Sequence, residues 1–529
     1  MEATIPTQNS RTTWVKTGLA LGVILLTAAF LRLYRIADYL TFLGDEGRDV
    51  LIVKHLLEGD LVGLGPTASV GGFFTGPAYY YFMAPFLWLF KLDPVGPAVM
   101  VALFGIATVF LVYWVGKEFF DRRAALIAAS LYAVSPLIVG YSRSSWNPNP
   151  LPFFSLLTIF VVYKAVLKKS MKYFFVVGVL LGIALQLHYI ATFLIAVIVL
   201  YIFVIYVRKL HALAKTYLSL FTGFLVGFSP FLAFEITHGF QNIQTVIKFI
   251  FGGTGETGFA GQKFFVIVTD VFFRLFGRLL TRFPPPEQIT FGINNVEINS
   301  YGFVLQIPVS VLYILTLGLA IGSVALLISR WKHAQYTLLL LWLVVGTLLF
   351  GFYKKPIYDY YFAFMFPLPF LFVGMLFSHF WERFGRVSKG IIGGTFVFLL
   401  LLNFDGRSMK YEPNRQLAQV RSISEFVMEK AEGKPFNFAL ITAHNSDHGY
   451  RYFFELEGNP PVVIQTVEKD LERKTVMDQL LVVCEDTSCK PLGHSLWEVS
   501  GFGRAEIVGQ WGISVVKVYK LVHFQGENE

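Results

Sequence analysis

Residues 95–123 read VGPAVMVALFGIATVFLVYWVGKEFFDRR. No charge interrupts 95–116, a run long enough to cross the ~30 Å hydrocarbon core, which takes a helix of about 20 residues. Lys117, Arg122 and Arg123 then close it. An apolar run ended by a short basic turn marks a span leaving the membrane on its cytoplasmic side, because Lys and Arg concentrate in short cytoplasmic loops.

The pattern recurs in both directions. Apolar segments at 14–34, 124–141, 150–167, 172–188, 189–207, 216–235, 303–329, 336–352, 360–380 and 388–403 bring the expected total to about eleven spans. The first is too long for the apolar core of a cleavable signal peptide and lacks the small-residue cleavage site. The segment 77–91 is short, interrupted by Pro85 and rich in Tyr, and is assigned to the interface. With Arg11 and Lys16 inside, the loops 117–123, 168–172, 208–215, 330–332 and 383–389 all fall inside, each with two or three Lys or Arg. Counting 77–91 as a span would turn these loops outward. The expected arrangement is therefore a multi-pass protein of the cell membrane, with a cytoplasmic N-terminus and an extracytoplasmic C-terminal domain.

Composition agrees. The chain of 529 residues is 55% hydrophobic, 17% aromatic and 15% charged, with a mean hydropathy of +0.58; soluble domains carry about 25% charged residues. The 55 Phe and 25 Tyr suit lipid-facing spans with interfacial belts. A net charge of +9 would suit nucleic acid, but the basic residues sit between the apolar runs, so membrane lipid is the expected partner and nucleic acid is excluded.

The chain divides at a change of character. Residues 1–403 form the expected transmembrane domain. Residues 404–529 are polar, with β-rich runs at 436–442, 461–465, 479–485 and 513–522 and helical spacing over 415–431. The fold class is mainly α: a polytopic helical membrane protein with a small C-terminal α/β domain. Cys484 and Cys489 show no metal-ligand spacing. An oxidising compartment admits a disulfide between them; two unpaired thiols fit the spacing equally.

Three regions lie outside on this reading: 36–94, 236–302 and everything after 404. The second holds Gly252-Gly253-Thr254-Gly255, an amphipathic stretch at 262–282 and Pro284-Pro285-Pro286. No strand precedes the glycines, so a flexible loop is the reading rather than a phosphate cradle.

Polar groups gather in the outer turns. Asp45-Glu46 follow the first span and open an amphipathic stretch, where helix-terminal N–H groups favour a carboxylate. An ionised Asp45 there can orient or deprotonate an attacking hydroxyl; a simple helix cap is the competing role. Downstream, Gly76-Pro77-Ala78-Tyr79-Tyr80-Tyr81 presents Tyr79 and Tyr80, which equally suit an aromatic belt. The next outer turn, 141–150, contains Arg143, Trp146, Asn147 and Asn149, more polarity than a connection needs. Aromatic faces and amides suit carbohydrate; capping by Asn149 is the alternative. His188 is a further candidate or a packing histidine. Finally, Lys354, Lys355 and Tyr358 lie in an outer turn against the charge rule. The lysines can hold a phosphate that gains charge as it leaves, or snorkel towards headgroups.

In the order of these features the chain resembles the GT-C superfamily of membrane glycosyltransferases, over about 1–400. The branch it is most similar to contains the protein O-mannosyltransferases, aminoarabinose lipid A transferases and Rgt-type bacterial sugar transferases, a glycosyltransferase family 39-like group. The resemblance implies a catalytic or acceptor-binding role for Asp45, with Glu46 beside it, and contact with the donor's lipid phosphate for Lys354 or Lys355. Two departures stand out. Gly76-Pro77 replaces the His-Pro of many relatives, and Asn147 and Asn149 stand where many have an acidic residue. Amides alone are poor ligands for divalent ions, so no cofactor is expected. The implied reaction is a single, inverting displacement. An acceptor hydroxyl on a protein, lipid or glycan attacks the sugar of a polyprenyl-phosphate donor, whose phosphate Arg143 could help to hold. The runner-up is a secondary transporter or flippase, which would show repeats and polar, broken helices at the midplane; no repeat is visible.

Overall fold

The computed structural model describes residues 8–526 apart from 69–70, 252–256, 259, 301–302, 444 and 487. The Gly252-Gly253-Thr254-Gly255 cluster lies outside the described residues. The chain forms two compact units: Met1–Tyr34, Leu61–Phe82 and Ala98–Glu412 in the first, and Arg35–Asp60, Met83–Pro97 and Pro413–Glu529 in the second. Contacts thus group the C-terminal segment with two stretches that composition places in the transmembrane part. A boundary at 403/404 stays a proposal about which part folds by itself.

All eleven apolar segments contain helix, but not all as one span. Among the described residues six helices are long and apolar enough to cross a membrane: Val15–Leu33, Val95–Phe119, Leu151–Lys168, Val309–Ser329, Ala334–Phe352 and Arg386–Asp405. Two bent pairs raise the number to as many as eight: Leu210–Gly227 with Ser229–Thr237, at 71°, and Asp359–Met365 with Pro367–Arg383, at 57°. Pro230 and Pro367 stand in the first turn of the second member of each pair, where a missing N–H costs nothing. Met171–Leu187 and Ala191–Tyr206 are shorter apolar helices. The segment 124–141 is broken at Ser135 into Arg122–Val134 and Pro136–Tyr141. Ala78–Leu89, with Pro85 inside, has 12 residues and is too short to span, as its interfacial assignment requires.

Helix contacts in the first unit exploit small residues. Gly178 and Gly182 on Met171–Leu187 face Gly223 and Gly227 on Leu210–Gly227. A Cβ added at Gly178 would lie 2.0 Å from the Leu220 carbonyl oxygen, and one at Gly227 would lie 2.2 Å from that of Val179. Each helix therefore presents a glycine pair four residues apart, and the backbones touch. Between the spans, Asn295–Ser300 and Phe303–Pro308 pair as an antiparallel hairpin with Asn295 opposite Pro308. The first residues of the 303–329 segment are thus strand, and its helix begins at Val309.

The second unit is α/β. Its four-stranded sheet runs Asn437–Ile441, Gln479–Cys484, Val516–His523, Ala505–Ile513, the first pair parallel and the others antiparallel. The first two strands are buried along their whole length, as strands covered on both faces are. Ala439, Leu480, Val482, Phe502 and Leu521 form part of the core. The helix expected over 415–431 is Gln416–Ala431. Of the four expected β runs, 436–442, 479–485 and 513–522 contain strands, while 461–465 forms no strand and is tied to the residue before the sheet's first strand by Val462 N donating to the Phe436 carbonyl at 2.9 Å. Cys484 and Cys489 form a disulfide.

Candidate functional site

In the first unit three separate turns meet in one aromatic cluster. Trp146 stands edge-on to Tyr360 with ring centroids 4.5 Å apart. His188, in the break between Met171–Leu187 and Ala191–Tyr206, lies 5.9 Å from both Tyr360 and Tyr361. Tyr358 stacks on Tyr360 at 6.0 Å and meets Tyr361 edge-on at 5.8 Å. Sequence order separates these residues widely, and the fold unites them.

The other polar groups of the 141–150 turn hold it in place. Asn147 Nδ2 donates to the Leu187 carbonyl at 2.6 Å, tying the turn to the residue before His188. Asn149 Nδ2 closes the turn on the Ser144 carbonyl at 2.9 Å. Tyr79 shares a 2.7 Å hydrogen bond with Ser145 Oγ, and both Tyr79 and Tyr80 are buried. Arg143 is only 1% exposed and donates to the carbonyls of Leu31 at 2.6 Å and Tyr34 at 2.8 Å. It satisfies the orphan carbonyls that end the first span, where the helix dipole also favours a cation. Asn149 and Tyr360 further line a small recess, together with Thr108, Tyr132, Tyr141 and Ser142.

Lys354 and Lys355 are exposed. Lys354 makes no hydrogen bond or ion pair with any described residue. Its neighbour Tyr353 packs edge-on to Tyr361 at 5.8 Å, which keeps the lysine turn beside the aromatic cluster. The Phe352 carbonyl accepts from Gly258 N at 2.9 Å, fixing the turn from the other side.

The reading of the sequence passed over the ion cluster that sets this geometry. Arg274 Nη2 lies 2.5 Å from Asp359 Oδ1, and Arg278 Nε lies 2.8 Å from Asp359 Oδ2. Arg274 Nη1 also donates to the Ile357 carbonyl at 2.9 Å. Helix Phe264–Leu280 thereby clamps the segment carrying Tyr358, Tyr360 and Tyr361. A signal was present: Asp270, Arg274 and Arg278 recur every four residues on the amphipathic stretch, so they share a helix face.

Asp45 and Glu46 belong to the second unit. They occupy the first turn of helix Gly44–Glu58 and have parted roles. Asp45 is 57% exposed in its side chain and pairs with Arg48 at 2.9 Å. Glu46 is buried; its Oε2 accepts from Leu43 N at 3.0 Å, capping the helix. Loss of solvation is the largest influence on the Glu46 carboxyl and raises it to about 7, against the opposing pull of the backbone amides. Among the described residues no group of three or more His, Cys, Asp or Glu is placed to hold a metal ion.

Residues 75–234 match the family model for dolichyl-phosphate-mannose-protein mannosyltransferase. The structure is similar to that of ArnT from Cupriavidus metallidurans bound to undecaprenyl phosphate, with a TM-score of 0.60 and 13% identity, over 96% of this chain and 98% of that one. The apo state of that protein gives a TM-score of 0.61 at 12% identity, over 97% and 98%. The archaeal oligosaccharyltransferase AglB from Archaeoglobus fulgidus, in complex with an inhibitory peptide and a dolichol-phosphate, gives 0.51 at 13% identity, over 89% and 69%. No curated protein matches by sequence. At these identities the structural likeness is one of fold. The matched segment contains Tyr79, Arg143, Trp146, Asn147 and His188 of the cluster just described. The family match covers less than a third of the chain, and beyond it the likeness is to the fold of ArnT and AglB.

Proposed function

We propose that the protein transfers a sugar from a polyprenyl-phosphate donor to a hydroxyl acceptor on the outer face of the membrane, with inversion at the anomeric carbon. The observation that carries this reading is Lys354, which has no hydrogen-bond or ion-pair partner among the described residues, beside the cluster of Trp146, His188, Tyr358 and Tyr360. A phosphate needs an uncommitted cation, and a sugar ring suits aromatic faces flanked by polar groups. ArnT bound to undecaprenyl phosphate, a relative by fold, supports a lipid phosphate as the ligand.

Lys354 holds the donor's phosphate and stabilises the charge that grows there as the glycosidic bond breaks. Lys355 adds positive potential at the same turn. The aromatic cluster and Asn149 engage the sugar, while Tyr79, Asn147 and Arg143 keep the turns in register. Asp45 receives the proton of the attacking hydroxyl or orients it. Its exposure and ion pair with Arg48 suit that task, whereas buried Glu46 holds the helix start. Phosphate is a good leaving group, so no general acid is required on the donor side.

Two measurements test the reading. Binding of undecaprenyl phosphate to the purified protein, followed by native mass spectrometry, weakens by about tenfold or more in Lys354→Ala, as loss of a charged hydrogen bond of roughly 1.5–3 kcal/mol requires. Glycan analysis of membranes shows the product lost in Asp45→Asn and retained in Glu46→Gln. Unchanged binding removes Lys354 from the donor site, and an unchanged glycan profile in folded Asp45→Asn removes Asp45 from catalysis.

A further inference from the structure

The helix that begins with Gly44 and Asp45 is built into the C-terminal α/β structure. Gly44 N donates to Asn445 Oδ1 at 2.8 Å, one of the amides that a helix start leaves without an intrahelical partner. The same oxygen accepts from Ser446 N at 2.9 Å. Asn445 Nδ2 in turn donates to Glu485 Oε1 at 2.8 Å. Glu485 is held by Thr442 Oγ1 at 2.6 Å and Tyr450 OH at 3.2 Å, and it follows Cys484 of the disulfide. Helices Gly44–Glu58 and His448–Leu456 approach so closely that a Cβ at Gly47 would lie 2.3 Å from Gly449 N. Farther along, His55 Nε2 lies 2.8 Å from Glu455 Oε2.

We propose that Asn445 and Glu485 are positioning residues for Asp45, linking the strand end at Cys484 to the first turn of the Asp45 helix. The proposal rests on the reading of Asp45 given above. Asn445 can orient its amide only one way: its oxygen must face the two amides and its nitrogen the carboxylate. Glu485 enforces that orientation, because an ionised carboxylate accepts and does not donate. A shift of about 1 Å in a group that must meet an acceptor hydroxyl can cost 10²-fold in rate. The C-terminal segment is on this view part of the catalytic apparatus.

The test uses the full-length protein in cells, with membrane glycan product measured per amount of membrane-inserted protein. Asn445→Ala lowers product about tenfold. Asn445→Asp alone is also defective, because two carboxylates then face each other. Adding Glu485→Gln to it restores product to within about twofold of wild type, since the hydrogen bond re-forms with donor and acceptor exchanged. General destabilisation would not be repaired in this way. Asp45→Asn is measured in parallel: if it keeps its product, the Asp45 reading fails and this proposal with it. If Asp45→Asn is inactive but Asn445→Ala keeps wild-type output, or Glu485→Gln fails to rescue Asn445→Asp, the positioning role is overturned and Asp45 stands. Hydrogen exchange of residues 42–50 in purified Asn445→Ala gives a substrate-free check: exchange rises about tenfold if the link exists and is unchanged if it does not.

Discussion

Adjacent carboxylates at a helix start need not share a job, and Asp45 and Glu46 divide theirs by burial. In sequence they are one acidic pair; the fold turns one outward and the other in, which the sequence could not show because burial depends on what packs over the turn. Glu46 offers a test independent of substrate. Its carboxyl moves from 4.5 to about 7 on folding. Between those values the folded protein holds a proton that the unfolded chain has released, so stability falls as pH rises through the window and levels off above it. The upper bound on the loss is about 3 kcal/mol. The unfolding temperature of the detergent-solubilised protein is therefore lower at pH 8 than at pH 5 from this source. Glu46→Gln, which keeps an oxygen for Leu43 N, removes that part of the slope. Identical pH slopes in the two proteins would show that Glu46 does not titrate in the window.

Helices and strands were legible to the degree that one physical rule governed them. Apolar length located every helix long and apolar enough to span, and Pro230 and Pro367 marked bends that a count of runs reads as straight spans. The break at Ser135 is harder to read, because the apolar run continues through it. The strand Ala505–Ile513 escaped notice: it contains Gly509 and Gly512, has a bulge between Ile507 and Gly509, and lacks a clean buried–exposed alternation. The ion pairs on Asp359 were written at four-residue spacing in 262–282, yet their partner lies far along the chain. Gly178, Gly182, Gly223 and Gly227 form the most local packing code in the first unit, and it can be tested directly. Gly178→Ala forces its new Cβ to within 2.0 Å of the Leu220 carbonyl oxygen. Overpacking of this kind costs about 1–3 kcal/mol, so the unfolding temperature drops by several degrees. Gly318→Ala, in a span helix with nothing within 4 Å of the added atom, is the matched control. Its higher helix propensity leaves stability unchanged or slightly raised. Equal effects at the two positions would mean that the Gly178 contact is not tight.

At the scale of the molecule, the two cysteines report orientation without any engineered tag. The orientation proposed from the basic loops, with the N-terminus inside and the C-terminal segment outside, is the sense that the proposed reaction needs if its lipid-linked donor is used on the outer face. Cys484 and Cys489 are the only cysteines in the chain, and they are bonded to each other. Cys484 is fully buried, so Cys489 is the thiol that a reagent reaches once the bond opens. In intact cells a membrane-impermeant maleimide therefore leaves the protein unlabelled. Labelling follows treatment with an impermeant reductant and does not require detergent. Opening the small loop costs about 2 kcal/mol in the chain-entropy account, too little to unfold the membrane part, so the label reports the side of the membrane rather than damage. Labelling that appears only after the membrane is permeabilised would put the C-terminal segment in the cytoplasm. That result would reverse every loop assignment and remove the outer face from the proposed reaction, while leaving the fold and the aromatic cluster untouched.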